Sequence, residues 1–588
     1  MLNFLKYVFA TIVGIFLFIV ISVLIIAGIA GAGSKEKEGT LTDASVLRLK
    51  LDREIIERET EDIFSITAIL NGEEESIGLL ELKKAILHAK KNEKIKGIYL
   101  ELSQTHAGFS SLEEIRNALL DFKKSGKFIV AYGESYSEGA YYLASVADKI
   151  FLPSSGLVEF NGLQSEVMFL KGTLDKLEIK AEIFKVGDYK SAVEPLFLDK
   201  MSDANRQQIR SFLNSIYDFY LQNVAISRKL EVSKLKLVSD SMLVRNGPDA
   251  LKYGLVTDIE YFDKVEEFMK NKLALSKKEK IDYVSYGKLN SETEKDDFEE
   301  KSDKKVAVIF ASGEINSGKG TEESIGSETT AAQIRKAREN EDVKAIVLRI
   351  NSPGGSALAS DIIWREVLLT KGVKPIIASM SDVAASGGYY IAMACDTIVA
   401  EPNTITGSIG VFGVILDAES FMKNKLGITF DRENTGKFSD VGTMTRSLTP
   451  YEKTIIQKEV DHIYDDFTAK AAQGRKMSQD ELKKVASGRV WSGTEAKSKG
   501  LVDVLGGLED AIAIAVKKAG LAKDYSLQYL PEQKVSIWKE ILSGMGDDKT
   551  EGMIKSKMGQ YYPYYKSIRS IQHMNGIQAR MPFELIVR

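Results

Sequence analysis

The chain has 588 residues, more than one hydrophobic core usually organises, so several domains are expected. Its 44% hydrophobic and 28% charged residues exclude a disordered chain. The net charge of -4, with both signs mixed along the sequence, gives no basis for nucleic-acid binding, and the single cysteine, Cys395, excludes an intramolecular disulfide.

The N-terminal residues form a long apolar stretch. No residue from Tyr7 to Ser34 is charged. A membrane-spanning helix needs ~20 apolar residues, whereas the core of a cleaved signal peptide usually has ~7–15. We therefore predict one uncleaved transmembrane helix within residues 1–35, and the small residues from Ala27 to Gly33 leave cleavage open. Lys6 precedes the helix, which weakly favours a cytoplasmic N-terminus with the rest of the chain outside.

The sequence repeats itself further on. The segment NEKIKGIYLEL begins at Asn92 and NEDVKAIVLRI begins at Asn340, an offset of 340 − 92 = 248. The same offset aligns Tyr141-Tyr142 with Tyr389-Tyr390. A fixed offset of this kind is typical of an internal repeat. It predicts homologous domains at 42–288 and 305–522, a charged linker at 289–304, and a C-terminal tail at 523–588.

Each repeat alternates between two kinds of segment. Short β-branched runs such as KAIVLRI and KPIIASM are typical of buried parallel strands, and helical stretches follow them. Thr449, Pro450 and Glu452 form a capping box with proline at the first helical position, which predicts the start of a long helix. The alternation predicts an α/β fold with a largely parallel sheet.

A serine follows one of these strands in the second repeat. The strand KPIIASM leads into SDVAASGGYYIAMA, where Ser386 stands at the start of a predicted helix. Unpaired N–H groups and partial positive charge at a helix N-terminus favour a developing alkoxide. Gly387 leaves room for a substrate backbone. Ser386 is thus a candidate nucleophile, and an ordinary helix-capping serine is the alternative.

A glycine pair follows the preceding strand of the same repeat. In NSPGGSALAS, Gly354 and Gly355 form a turn after a proline. Backbone N–H groups in such a turn can stabilise an oxyanion, although an ordinary Pro-Gly turn has the same signature. Its place in the repeat favours the oxyanion interpretation.

The base that would activate Ser386 is predicted to be a lysine. None of the four histidines lies in a glycine-rich or strand-end segment, and no GxSxG sequence surrounds Ser386, so a Ser-His-Asp triad is poorly supported. Lys190, in VGDYKSAVEPL of the first repeat, has apolar neighbours that would desolvate its ammonium. Desolvation lowers a lysine pKa and yields a neutral base. A surface lysine beside Glu194 is the alternative.

Comparison of the repeats favours one composite site. Ser386 aligns with Glu138 at the offset of 248, and Lys190 aligns with Ser439 after one residue of drift. The first repeat thus has the lysine without the serine, and the second has the serine without the lysine. Whether the two would meet within one chain or between subunits stays open from the sequence.

The segments GDYKSAVEPL and SDVAASGGYYIAMACD resemble those of the long, two-repeat form of the bacterial signal peptide peptidase A (protease IV) family. The resemblance extends from the N-terminus to about residue 520. It implies a ClpP/crotonase-like fold in each repeat and a Ser386–Lys190 dyad. By the same resemblance Ser408, in TGSIG, orients the lysine, and Gly355, Gly387 or their neighbour Gly354 supply the oxyanion hole.

The resemblance also implies a setting for the enzyme. It implies a homotetramer anchored in lipid at the bacterial inner membrane, with periplasmic catalytic domains that cleave apolar signal-peptide remnants without metal or cofactor. A crotonase-like acyl-CoA enzyme and a non-catalytic membrane scaffold are the alternatives. No function is assigned to the tail, whose aromatic residues could pack on the domain, mediate assembly or lie at the membrane.

Overall fold

A computed structural model describes residues 41–59, 76–296, 302–321, 324–522, 524–532 and 577–581, with isolated helical positions between 4 and 21 and between 554 and 565. Most of the predicted membrane anchor, residues 1–35, lies outside the described residues. Within the described part, no helix has the combination of length and apolar character that crossing a membrane requires. The anchor stays a prediction.

The first repeat is a parallel sheet packed between helices. Its six-stranded sheet has the order β10-β7-β5-β4-β1-β11, and every neighbouring pair is parallel. The elements are β1 (Ser45–Lys50), β2 (Ile55–Ile56), β3 (Ile77–Gly78), α1 (Leu79–Lys91), β4 (Ile95–Glu101), α2 (Phe109–Lys123), β5 (Phe128–Tyr132), β6 (Ser135–Tyr136), α3 (Glu138–Ala144), β7 (Lys149–Leu152), β8 (Leu157–Val158), α4 (Lys171–Leu177), β9 (Lys180–Lys185), α5 (Glu194–Phe197), α6 (Asp203–Arg228), α7 (Val232–Asp240), α8 (Gly247–Lys252), β10 (Asp258–Ile259), α9 (Phe262–Lys272), β11 (Tyr283–Val284) and α10 (Tyr286–Asp296).

The second repeat has the same organisation with longer strands. Its main sheet has the order β21-β19-β17-β15-β12-β23, and β18 and β22 extend it beside β17. The elements are β12 (Lys305–Ser312), β13 (Glu314–Asn316), β14 (Ser324–Gly326), α11 (Ser327–Glu339), β15 (Val343–Ser352), β16 (Gly354–Ser356), α12 (Ala357–Thr370), β17 (Ile376–Ala385), α13 (Gly387–Ala392), β18 (Thr397–Ala400), β19 (Ile405–Gly407), β20 (Phe412–Asp417), α14 (Glu419–Leu426), α15 (Pro450–Arg475), α16 (Gln479–Val485), β21 (Val490–Ser492), α17 (Gly493–Ser498), β22 (Val504–Leu505), α18 (Leu508–Lys518), β23 (Ser526–Leu530) and β24 (Ile577–Arg580).

Equivalent elements begin at the predicted offset. Helices α1 and α11 both have 13 residues and start 327 − 79 = 248 positions apart. Strands β5 and β17 start 376 − 128 = 248 positions apart. The parallel α/β architecture and the repeat are therefore confirmed, and Thr449 and Glu452 form the predicted capping box of α15.

The ends of the repeats differ from the sequence-based boundaries. Helix α10 covers the first part of the stretch predicted as a linker at 289–304, because Leu289 is buried in the core and Asn290 donates to Glu81 O at 2.8 Å. Strand β23, in the predicted tail, pairs in parallel with β12. The first repeat thus extends at least to Asp296, and the sheet of the second extends past residue 522.

A third sheet joins the two repeats. Its order is β14-β13-β16-β24-β20-β9, and β9 of the first repeat pairs antiparallel with β20 of the second from Lys180↔Asp417 to Lys185↔Phe412. Strand β9 ends five residues before Lys190, and β20 begins four residues after Ser408. The pairing therefore brings the lysine-bearing loop of one repeat to the strand ends of the other.

A buried ion cluster also bridges the repeats. Arg349, fully buried on β15, lies with its Nε 2.7 Å from Glu57 and its Nη1 2.8 Å from Glu114, both in the first repeat. Glu114 also pairs with Lys83, whose Nζ lies 2.6 Å from Glu509 of the second repeat. Burial alone would raise the pKa of the Glu114 carboxyl, but the two cations lower it to about 2. The Glu114 carboxylate is therefore charged inside the interface, between two cations.

Candidate active site

Ser386 stands at a sharp turn between β17 and α13. Its backbone has φ 55° and ψ -109°, a conformation that residues with a side chain rarely adopt. Its hydroxyl makes no capping bond to α13, and its backbone N–H donates instead to Gly407 O at 2.8 Å. Such local strain is common at active sites. The side chain is thus held away from its own helix and toward the first repeat.

Lys190 reaches this serine from the other repeat of the same chain. Its Nζ lies 2.8 Å from Ser386 Oγ, 3.1 Å from Ser408 Oγ and 3.2 Å from the Ser408 carbonyl oxygen. The Ser386 hydroxyl also lies within donating distance, 3.3 Å, of Gly410 O. The lysine and both serines are fully buried. The two groups, whose meeting place the sequence left open, meet within one chain.

Burial controls the protonation of Lys190. Removing an ammonium from water penalises its charged form, and burial lowers the Lys190 pKa well below its ordinary value. Its polar contacts are with hydroxyl and carbonyl oxygens rather than with a carboxylate. The amine therefore holds its proton less tightly than that of an exposed lysine, which is the direction that a general base requires.

Two glycines of the second repeat make room for this lysine. A Cβ on Gly488 would lie 2.7 Å from the Lys190 backbone nitrogen, and one on Gly410 would lie 3.3 Å from its Cδ. Gly488 also has φ +78°, which favours glycine. Nearby, the N–H of Tyr189 donates to Ser487 O at 3.1 Å. The loop that carries Lys190 is thus fitted against residues 487–488.

Gln208, on α6, holds the same loop by its side-chain amide. Its Nε2 donates to Tyr189 O at 3.1 Å and to Ser191 Oγ at 2.8 Å, and its Oε1 accepts from the N–H of Val490 at 3.1 Å. The amide therefore connects the residues on both sides of Lys190 to strand β21 of the other repeat. Sequence reasoning missed Gln208, Gly410 and Gly488, because each contacts a residue of the other repeat and no local pattern marks such a contact.

The predicted oxyanion glycines lie beside Ser386. A Cβ on Gly354 would be 2.7 Å from Gly387 N, and one on Gly355 would be 2.1 Å from Ile315 O. The positive φ of Gly354, +98°, also favours glycine. The N–H of Gly354 donates to Ser352 Oγ at 3.1 Å. The structure thus gathers all six sequence-predicted site residues at one place.

The repeat counterparts of the dyad have other roles. Glu138, which aligns with Ser386, accepts the N–H groups of Asn161 and Gly162 at 2.9 and 2.7 Å. Ser439, which aligns with Lys190, is exposed in a turn and donates to Gly436 O. The pairing of serine with lysine therefore occurs at Ser386, not at the equivalent place in the first repeat.

Comparison with known proteins finds matches to both repeats of the chain. The model of Peptidase family S49 matches residues 121–276 and 369–522, more than half of the chain. The chain belongs to peptidase family S49. Protease 4 of Salmonella typhi is 38% identical over 466 residues, 77% of this chain and 74% of that protein. The chloroplastic serine protease SPPA of Arabidopsis thaliana is 38% identical over 479 residues, 80% of this chain and 70% of that protein.

Shorter family members align with part of the chain. A putative signal peptide peptidase SppA of Enterococcus faecium is 33% identical over 254 residues, 42% of this chain and 73% of that protein. Among solved structures, ClpP1 from Listeria monocytogenes covers 34% of this chain and 92% of its own, with 19% identity and a TM-score of 0.23. Membership in S49 and the Protease 4 relatives identify this chain as a serine peptidase, and the predicted enzyme class and family resemblance are confirmed.

Proposed function

We propose that this S49 peptidase hydrolyses peptide bonds with Ser386 as nucleophile and Lys190 as general base. The observation that carries the proposal is the 2.8 Å contact between Lys190 Nζ and Ser386 Oγ in a fully buried site. Ser408 accepts an N–H of the lysine amine at 3.1 Å and positions its lone pair toward the serine. A nucleophile, its base and a group that orients the base form the usual triad logic.

The proposed reaction passes through an acyl-enzyme. Neutral Lys190 takes the proton from Ser386 Oγ, which attacks the scissile carbonyl carbon. The lysinium then protonates the leaving amine as the C–N bond breaks. In the second half, Lys190 takes a proton from water, which attacks the ester, and returns it to Ser386 as the acyl group leaves. Each half restores the protonation state of the lysine.

The oxyanion of each tetrahedral intermediate would lie at the glycines. Because the N–H of Gly354 donates to Ser352 Oγ, the N–H groups of Gly355 and Gly387 are the better candidates. Loss of one such donor typically costs ~3 kcal/mol of transition-state stabilisation. Gly354 would therefore not donate a hydrogen bond to the oxyanion. A glycine is needed there because any Cβ would meet backbone atoms.

The setting of the enzyme is part of the proposal. We expect two ClpP/crotonase-like repeats, anchored by residues 1–35 in the bacterial inner membrane with the catalytic part on the periplasmic side. The substrates would be extended apolar peptides, signal-peptide remnants among them. We expect a homotetramer. Exposed apolar side chains of the second repeat offer surface for contacts between copies; they are Leu426, Ile428, Phe430, Phe438, Val441, Met444, Tyr451 and Ile455.

Hydrolysis of an apolar fluorogenic peptide by the detergent-solubilised full chain tests the dyad. Ser386→Ala and Lys190→Ala should each lower kcat by at least ~10³-fold, because neither residue alone forms the activated nucleophile. Ser439→Ala and Lys437→Ala are matched controls at exposed positions and should retain wild-type rates. Full activity in either dyad variant would remove that residue from the mechanism.

A further inference from the structure

Arg489 lies over two aromatic rings beside the loop that carries Lys190. Its guanidinium carbon is 4.0 Å from the centroid of the Trp491 ring and 4.9 Å from that of the Tyr189 ring. A second cation, Lys499 Nζ, lies 4.2 Å from the Trp491 centroid. Aromatic faces attract cations at these distances, and a flat guanidinium also stacks on them. Arg489 and Trp491 of the second repeat thus hold a ring of the first.

The Arg489 guanidinium has no acidic partner. Among the residues that the structure describes, it makes no hydrogen bond or ion pair, and its Nε is buried without a partner. Arg446 of the same repeat, by contrast, pairs with Asp440 and with Glu452, each at 2.7 Å. A polar group that is buried without a hydrogen bond costs stability. The aromatic rings are therefore the contacts that keep this cation in place.

The backbone of Arg489 holds a second member of the site. Its carbonyl oxygen accepts the N–H of Ser408 at 2.7 Å. Both oxygens of Ser408 lie within 3.2 Å of Lys190 Nζ. A Cβ on Gly407 would be 3.0 Å from the Arg489 carbonyl oxygen and 2.8 Å from Trp491 Cδ1, so strand β19 packs closely on this segment. Arg489 thus reaches the lysine by two routes, through its side chain to the lysine loop and through its backbone to Ser408.

Trp491 gives the aromatic contact a fixed base. Its side chain is only 4% exposed, and its Nε1 donates to Val485 O at 2.9 Å. The Tyr189 ring is less constrained, since it is half-buried and its hydroxyl donates to the exposed Gln207. Because the indole is fixed, the guanidinium lying on it determines where the Tyr189 ring rests. The adjacent residue, Lys190, is positioned with it.

We infer that Arg489 is a positioning residue for the peptidase, whose guanidinium holds the Tyr189 ring to Trp491 and so keeps the next residue along the chain, the base, within reach of the nucleophile. The inference rests on the proposed function, because it takes Lys190 to be that base. Arg489 acts through Tyr189 and Ser408 rather than on the reacting atoms. Its loss should therefore slow the chemical step and leave substrate affinity nearly unchanged.

Steady-state kinetics of the full chain on the apolar fluorogenic peptide give the first test. Arg489→Met removes the charge and the flat group but keeps an unbranched side chain. Its kcat should fall about tenfold or more, with KM within about twofold of the wild-type value. Lys499→Met, which removes the other cation on the same indole, is the matched control and should keep the wild-type kcat. An unchanged kcat for Arg489→Met would overturn the inference.

Tyr189 gives a test that leaves Arg489 in place. Tyr189→Phe keeps the ring and loses only the hydrogen bond to Gln207, so it should keep the wild-type kcat. Tyr189→Leu removes the ring and should lower kcat as Arg489→Met does. The double variant should be no slower than the slower single variant, because both changes remove one contact. Equal kcat values for the Phe and Leu variants would contradict the positioning role, and this comparison is decisive if Arg489→Met does not fold.

A labelling measurement keeps this inference distinct from the catalytic proposal. A fluorophosphonate probe reacts with an activated serine: the Ser386 oxygen bonds to phosphorus, fluoride leaves and the base takes the hydroxyl proton. Labelling followed by mass spectrometry should slow in Arg489→Met by about the factor seen in kcat, at an unchanged KM. A wild-type labelling rate in Lys190→Ala would sink the dyad proposal. A wild-type rate in Arg489→Met, with slow labelling of Lys190→Ala, would overturn the positioning role alone.

Discussion

Lys190 Nζ and Ser386 Oγ lie 2.8 Å apart although 196 positions separate the two residues in the chain. The contact depends on two features of the fold. Strand β9 pairs with β20 across the repeats, and the loop after β9 packs on Gly488. Under the proposed mechanism, activity therefore requires the two repeats to be docked correctly.

The pH dependence of activity should follow Lys190. Burial lowers its pKa, and only the neutral amine can accept the Ser386 proton, so kcat/KM should rise with pH through that lowered pKa and then level off. Initial-rate assays from pH 5 to 10 measure the profile. Lys190→Arg should be inactive at every pH, since a guanidinium keeps its proton. A flat wild-type profile would argue against a lysine base.

Replacement of Lys190 by Met should stabilise the protein while abolishing activity. In the unfolded chain the amine is protonated below about pH 10.5, whereas in the fold burial keeps it neutral to a lower pH. Between these two pKa values the unfolded state therefore binds one more proton than the folded state. The free-energy cost of burying the lysine increases as the pH falls toward the pKa that Lys190 has in the fold. Thermal unfolding should show a higher Tm for Lys190→Met than for the wild type, and this difference in Tm should narrow toward pH 10. Equal Tm values for the variant and the wild type at pH 7 would mean that the lysine is not desolvated.

Gln208→Leu should lower kcat through the position of Lys190. The change leaves Tyr189 O and the Val490 N–H without their partner in a buried place, which costs about 1–3 kcal/mol of stability. We expect kcat to fall with KM nearly unchanged, because Gln208 holds the loop that carries Lys190 and makes no hydrogen bond to Ser386 or the glycines beside it. Gln207→Leu is the matched control, since this neighbour is exposed and its side chain accepts a hydrogen bond from the Tyr189 hydroxyl rather than from the loop backbone. Equal kcat values for both variants would refute the positioning role.

The buried ion cluster should stabilise the docking of the repeats. Arg349→Leu leaves Glu57 and Glu114 buried without their shared cation, and removal of one partner from a buried pair typically costs ~3–5 kcal/mol. Urea unfolding should therefore show a large loss of stability together with lost activity. Arg335→Leu removes a half-exposed arginine from Glu366, which keeps Arg338, and should have a far smaller effect. A small effect of Arg349→Leu would mean that the carboxylates find other partners or take up protons.

Much of the site could be predicted from the sequence because repeats preserve local patterns. The offset of 248 is confirmed by the starts of helices and strands, and the turn carrying Ser386 and the glycine turn both follow predicted strands. The end of the first repeat was harder to predict. Among the described residues of the polar stretch from residue 289, Leu289 is the one apolar side chain buried in the core, and a single buried residue gives too little periodicity to mark a helix.

The sequence by itself determined which residues are candidates for the chemistry, because a nucleophile and a base without counterparts in the other repeat stand out by comparison. Only the tertiary structure decided that they meet within one chain, that burial alone lowers the Lys190 pKa, and that Ile577–Met581 lies between β16 and β20. The physical reason is the same in each case. Desolvation and strand pairing depend on what surrounds a residue in space, and for Lys190, Gln208 and Ala579 those neighbours come from distant parts of the chain.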